Sequence, residues 1–231
     1  MYFFDPMYFV FAMPALLLAM YAQWKVRSNY GKYAQVRNAT GLTGADAARR
    51  LLDAAGLYNV QVERISGNLT DHYDPRAKVL RLSESVHATD SVAAIGVTAH
   101  EVGHAIQDAT AYAPMRLRTG LVPVAGLGSG LGYILFIAGF FLHLFQLATL
   151  GLILFSAAAV FAAVTLPVEF NASNRAMALL EDNGLVTPQD AGMARKMLDA
   201  AALTYVAGLA QALSQVLYYA FLLSGMRRRD D

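Results

Sequence analysis

The sequence predicts a mainly α-helical integral membrane protein that also carries a small α+β domain, and three observations predict it. Of its 231 residues, 56% are hydrophobic and only 15% are charged, against about 25% charged in an ordinary soluble domain. No Asp, Glu, Lys or Arg falls between Asp5 and Lys25, between Arg118 and Glu169, or between Asp199 and Arg227. The polar stretch from Lys25 to Arg118 instead mixes short strand-like and helical runs, as a compact soluble part would. The hydrophobicity excludes a disordered chain, and the lack of cysteine excludes a disulfide-built secreted mini-domain. A net charge of +1 offers no basic excess for phosphate, so no nucleic-acid partner is expected.

Crossing about 30 Å of hydrocarbon takes roughly 20 apolar helical residues, because the bilayer core holds no water for unpaired backbone groups. Residues 1–24 therefore read as an N-terminal transmembrane helix. A removable signal peptide is disfavoured, since no basic region precedes the apolar run and MYAQWKVR is a poor cleavage site. In residues 25–118, Thr43 and Asp46 resemble a capping box, and Ala47, Leu51, Leu52 and Ala55 then repeat at helical spacing up to Gly56. The runs YNVQVERI, NLTDHY and AKVLRLS follow, rich in β-branched and aromatic residues and separated by Ser66, Gly67, Asp74 and Pro75. They read as a short antiparallel sheet. Val79 and Leu82 break strict alternation in the third run, which leaves its buried face open.

A helix is expected from Thr89, with Thr89 as cap and Asp90 in the first turn, running through SVAAIGVTAHEVGHAIQDA. Residues 119–168 suffice for two crossings, a transmembrane hairpin turning near His143, Gln146 and Thr149. Residues 169–199 form a further helical segment. Residues 200–231 are a C-terminal membrane segment with a basic tail. Gln211, Ser214 and Gln215 leave open whether it spans with a polar face turned to its neighbours or lies in the interface. No internal repeat is visible.

Within the polar part lies His100-Glu101-Val102-Gly103-His104, the H-E-x-x-H pattern. At 3.6 residues per turn both imidazoles share one helix face and can reach one ion, with Glu101 close by. Zinc held by two imidazoles at about 2.0 to 2.1 Å keeps room for a third protein ligand and a water. Glu101 would take the proton of that water as it attacks a carbonyl polarised by the metal. A structural polar cluster is the competing explanation. Ala94, Ile95, Val97, Ala105 and Ile106 make the helix apolar on both sides of the motif, and such a helix does not bury two His and a Glu without partners.

The third ligand has several candidates. His143 sits between the two putative crossings of the hairpin and reads as interfacial, and His87 reads as solvated in a linker. His72, in NLTDHYDPR, is on a strand or turn that could approach the site. Glu169 is the stronger candidate: it is the first charge after fifty uncharged residues, where a carboxylate is costly without a partner. An ordinary interfacial Glu is its alternative.

The runs TDHYDPRAKVLRLSESVH, GVTAHEVGHAIQDA and LPVEFNASNRA closely resemble the YugP-type zinc-dependent membrane peptidases, over nearly the whole chain. HtpX-type membrane peptidases are similar more distantly. The resemblance implies a small zincin-like α+β peptidase domain among the membrane helices, with zinc bound by His100, His104 and Glu169 and with Glu101 as catalytic base. The YugP-type pattern has Asp shortly after the third ligand, where this chain has Asn171, which can hydrogen-bond but carries no charge. Arg175 could pair with a substrate carboxylate or neutralise Glu169 or Glu181.

The function expected is a zinc-dependent membrane endopeptidase acting on membrane-associated or misfolded polypeptides, with a role in protein quality control. Zinc peptidases commonly bind substrate as an added strand. Thr70 to Ser83 is the expected edge, with His72 or Tyr73 as a catalytic group steadying the oxyanion or leaving amine. A processing peptidase with a single signal or lipid-modified substrate is not separated from this by sequence. A metal-binding membrane scaffold or transport component is the alternative from another class, although the paired broken helices of a transporter are not visible. Lys25, Arg27, Lys32, Arg37, Arg116, Arg118, Arg175, Arg195 and Lys196 outnumber Arg227, Arg228 and Arg229, which lie across the membrane if the last segment spans and on the same side if it is re-entrant. That bias favours a cytoplasmic catalytic side in a prokaryotic plasma membrane.

Overall fold

The structure, a computed structural model, describes residues 6–230, with side chains through Met226. The side chains of Arg227, Arg228 and Arg229, which enter the orientation count, lie outside the described residues, as does the beginning of the 1–24 segment. The described elements are helices α1 (Pro6–Tyr33) and α2 (Gly44–Ala54), strands β1 (Gln61–Ile65), β2 (His72–Asp74) and β3 (Val79–Ser83), and helices α3 (Glu84–His87), α4 (Val92–Ala109), α5 (Ala113–Phe141), α6 (Phe145–Phe155), α7 (Ala157–Asp182) and α8 (Pro188–Asp230). Four stretches, Pro6–Tyr33, Ala113–Phe141, Phe145–Asp182 and Pro188–Met226, are helical, long and apolar enough to cross a membrane. The chain divides into two compact units, one of Met1–Ala22, Arg116–Leu166 and Thr204–Asp231, the other of Gln23–Met115 and Pro167–Leu203.

In the first unit large apolar side chains face outward: Leu17, Leu127, Ile134 and Ile153 are each more than half exposed. That pattern suits lipid rather than water, where so much exposed apolar surface would drive association. Its inner packing is aromatic, with the rings of Phe136 and Tyr219 stacked 4.3 Å apart. The turn between α5 and α6 is centred on His143, which takes a left-handed φ of 54°, and the Leu144 N–H donates to the Gly139 carbonyl at 2.8 Å. The Ser214 hydroxyl of α8 donates to the Phe11 carbonyl of α1, so this polar position is turned toward a neighbouring helix.

The second unit has a continuous apolar core drawn from α2, the sheet, α4, α7 and α8, including Leu51, Leu52, Leu80, Leu82, Ile95, Leu180 and Leu198. Helix α2 starts with a complete capping box, Thr43 and Asp46 each accepting from the other's backbone N–H. Helix α4 starts later than its sequence suggests. Ser91, not Thr89, is the cap, its hydroxyl accepting from the Ala94 N–H at 3.1 Å. The Thr89 hydroxyl instead donates to the Ser85 carbonyl at 2.6 Å, and Asp90 is held by Arg37. Both are therefore committed to fastening the loop before the helix.

The sheet is mixed rather than antiparallel, with strand order β1-β3-β2. β2 and β3 form the expected antiparallel pair, but β1 runs parallel to β3. The short connection from Asp74 to Val79 closes a hairpin, whereas residues 66–71 carry the chain past β3 to its far side, so consecutive strands β1 and β2 do not pair. The central place of β3 also explains its broken alternation: Val79, Leu80, Leu82 and Ser83 are all buried, because both faces are covered. Among the described residues β1 and β2 are the outer strands of the sheet, so the edge expected over Thr70 to Ser83 is confined to its β2 portion.

Residues 188–230 form one helix, so the segment boundary expected between 199 and 200 falls inside it. The break comes earlier, at 183–187. Gly184 takes φ +62° there, and the Leu185 N–H closes back on the Leu180 carbonyl at 2.9 Å, a helix ending that glycine supplies without a Cβ penalty.

Candidate metal centre

Helix α4 is buried along most of its length, and its two histidines, one turn apart, project from a single face. Their rings lie 4.8 Å apart and nearly perpendicular, at 87°. Opposite them stands Glu169 of α7, only 2% exposed. Glu169 Oε2 is 3.3 Å from His100 Nε2 and 3.5 Å from His104 Nε2. One donor atom from each of the three residues lies within 4.8 Å of the others.

Close approach of the two helices depends on Gly103, between the histidines. A Cβ at that position would lie 2.7 Å from the Ala172 carbonyl oxygen and 3.3 Å from the carbon atoms beside it. The missing side chain lets the α7 backbone come near enough for the Glu169 carboxylate to reach both rings.

The hydrogen bonds around the rings decide what the cluster can hold. Gln107 Nε2 donates to the Val168 carbonyl at 2.8 Å and to Asn171 Oδ1 at 3.0 Å. With both amide hydrogens used, Gln107 Oε1 is an acceptor, and it lies 2.9 Å from His104 Nδ1. His104 therefore carries a proton on Nδ1, and its Nε2 faces the Glu169 oxygen as a lone pair when the ring is neutral and as a donor when it is charged. Two electron-rich atoms at that range hold a cation between them, a proton or a metal ion. Ligands at about 2.1 Å from a tetrahedral ion lie about 3.4 Å apart, which the 3.3 and 3.5 Å separations match. The donor set, two imidazoles and a carboxylate, thus fits zinc. His100 Nδ1 is 3.3 Å from the Ser173 hydroxyl, one turn beyond Glu169 on α7.

Glu101 lies beside this cluster and is itself buried. Its Oε2 accepts from the Tyr73 backbone N–H of β2 at 3.1 Å, and the Tyr73 hydroxyl donates to Asp108 at 2.8 Å. Burial pushes the Glu101 carboxyl above its ordinary value; His100 and His104 draw it back, while Glu169 and Asp71 push it further. For His104 burial alone would lower the imidazole, but the bond to Glu169 and the charges of Glu101 and Glu169 outweigh it and the net shift is upward.

The structure thus brings together His100, His104 and Glu169, with Glu101 adjacent. His72 is on the exposed side of β2, its Nδ1 2.9 Å from the Thr70 carbonyl, and is not one of the three clustered donors. His87 ends α3 and His143 belongs to the other unit. Arg175 has a partner that the sequence reading did not propose: its Nε donates to Asn171 Oδ1 at 2.7 Å. Gln107, Ser173 and the Tyr73 N–H are site groups that the sequence reading missed. The available signal was position: Gln107 lies one turn after His104 on an apolar helix, and Ser173 one turn after Glu169.

Comparison with known proteins points the same way. A family profile described as "Putative neutral zinc metallopeptidase" matches residues 8–224. The "Putative membrane protease YugP" of Bacillus subtilis (strain 168) is 46% identical over 226 residues, covering 97% of this chain and 100% of the relative. No solved structure matches the chain.

Proposed function

The chain belongs to the family described as "Putative neutral zinc metallopeptidase", and from that premise we propose that it is a zinc-dependent integral membrane endopeptidase built on a zincin-like domain. The observation that carries this reading is the convergence of His100 Nε2, His104 Nε2 and Glu169 Oε2 beside a second buried carboxylate, Glu101. Those three residues would hold zinc, which would supply Lewis-acid chemistry for the scissile carbonyl and the attacking water.

The chain's own groups do the rest. Glu101 accepts the proton of the attacking water and delivers it to the leaving amine, a role suited to a carboxylate whose proton affinity burial has raised. The Tyr73 N–H holds Glu101 in place from the edge strand. A substrate segment lies in extended form alongside β2, so that its scissile bond runs past Glu101. His72, exposed on the same strand, steadies the oxyanion or the departing amine; His72→Phe then lowers turnover at unchanged zinc content.

Glu169 follows the long charge-free segment directly in the sequence, which suits polypeptides that are membrane-associated or misfolded and a role in protein quality control. The excess of Lys and Arg flanking the polar part favours a catalytic side in the cytoplasm, in a prokaryotic plasma membrane. The test is metal removal: stripping the purified protein with a chelator abolishes cleavage of an unfolded polypeptide, and one equivalent of zinc restores it. Undiminished cleavage by metal-free protein would refute the reading.

A further inference from the structure

We propose that Asp108 is a positioning residue for hydrolysis: it grips the β2–β3 hairpin and so fixes the angle at which β2 lies against the helix face that carries Glu101. The inference rests on the reading of Glu101 as the base and of β2 as the strand along which substrate lies. Glu101 and Asp108 are seven residues apart on α4, so they share one face and stand about 10 Å apart along the axis. Each holds the hairpin. Glu101 Oε2 accepts from the Tyr73 backbone N–H at 3.1 Å. Asp108 Oδ2 accepts from the Tyr73 hydroxyl at 2.8 Å and also from the ammonium of Lys78, the last residue before β3.

The hairpin moves as one piece. Arg81 Nη1 of β3 donates to Asp74 Oδ2 of β2 at 2.8 Å, and the N–H groups of Arg76 and Ala77 in the turn donate to Asp74 Oδ1 at 2.9 and 3.1 Å. A tie at Glu101 alone would set the distance from strand to helix and leave this piece free to swing about that point. The second tie, about two helical turns away, removes the swing. Among the described residues these are the only polar ties between the hairpin and α4. Without Asp108, every movement of the hairpin would pass through the Tyr73 N–H to Glu101 itself. Neither Asp108 nor Lys78 is among the clustered metal donors, so the effect is on the alignment of base and substrate and not on the metal.

The experiment measures three things on the full-length protein in detergent: amide hydrogen exchange by mass spectrometry, zinc content, and kcat for cleavage of an unfolded polypeptide. In Asp108→Ala, exchange over residues 72–74 should rise at least about tenfold, the scale of one or two lost hydrogen bonds, while residues 79–83 keep their native rate. Zinc content should stay native and kcat should fall at least about tenfold, since a misplacement of about 1 Å can cost a hundredfold. Asp108→Asn keeps an oxygen that both donors can reach, and kcat and exchange should stay within about threefold of wild type. A residue that only stabilises the fold would lower the unfolding temperature of Asp108→Ala and leave kcat native; that result overturns the proposal. Equal loss of kcat in both variants, or native exchange over 72–74 in Asp108→Ala, overturns it as well. If Asp108→Ala does not fold, Tyr73→Phe combined with Lys78→Met removes both donors and decides: faster exchange with reduced kcat supports the grip, and native values refute it. Cleavage by zinc-free wild type would instead overturn the hydrolytic reading, and the exchange measurement, which needs neither metal nor turnover, keeps the two failures apart.

Discussion

The backbone N–H of Tyr73 donates to the carboxylate of Glu101 across 3.1 Å. The same residue's hydroxyl reaches Asp108, two helical turns further along α4, at 2.8 Å. One residue of the edge strand is thus pinned to the metal-site helix at two points, and one of those points is the proposed base. Because the contact to Glu101 comes from the main chain, side-chain changes at position 73 leave it in place.

Tyr73→Phe separates the two pins. It removes the hydroxyl bond to Asp108 and keeps the N–H, so stability should fall by about 1 kcal/mol while zinc content is unchanged and cleavage stays within a few-fold of wild type. Thermal unfolding in detergent, with zinc analysis of the same sample, checks this. Zinc loss would mean that the side chain, and not the backbone, holds the site together.

Gly103→Ala probes the helix contact. Its new methyl would meet the Ala172 carbonyl at 2.7 Å, a backbone atom that cannot swing away. Overpacking of this kind costs about 1 to 3 kcal/mol, and here the relief is movement of α7, which carries Glu169 away from the histidines. Zinc affinity should therefore fall further than stability does. Competition with a chelator of known affinity, compared with thermal unfolding of the metal-free protein, distinguishes the two effects.

Acid should release the metal early. Zinc needs His104 neutral at Nε2, and in the metal-free protein the proton affinity of this ring is raised, since Glu169 and Glu101 outweigh the effect of burial. Protons then compete with zinc at pH values above the ordinary imidazole value of about 6.5. The sign for the metal-free fold follows: a raised value favours the folded state at low pH, and that increment is lost as pH rises through the shifted value. Zinc titrations from pH 8 downward should show apparent affinity already falling above about pH 6.5; a flat affinity down to that point contradicts the assignment.

Much of this architecture was legible in residue patterns because membrane burial and helical ligand spacing write strong local signals. Fifty uncharged residues before Glu169 mark both a paired crossing and an expensive carboxylate, and His100 with His104 fixes a shared helix face. Tertiary choices were not legible. Thr89 is as good a cap as Ser91 by residue type, and only the fastening of Thr89 to Ser85 decides between them. The three β-runs are in the right places, but pairing β1 with β3 depends on where residues 66–71 carry the chain, which short apolar runs do not encode. Asn171 and Arg175 drew notice separately, while Gln107, the residue that joins them to His104, looks like any polar residue near a helix end.

We propose Glu101 as the base for hydrolysis at a zinc held by His100, His104 and Glu169. The most direct measurement is zinc bound per chain and cleavage of an unfolded polypeptide, taken on the same detergent preparation of wild type and Glu101→Gln. Full zinc occupancy with cleavage reduced by at least about a thousandfold is the result predicted. Cleavage that survives Glu101→Gln at wild-type rate, or full activity in a wild-type preparation free of zinc, would contradict it.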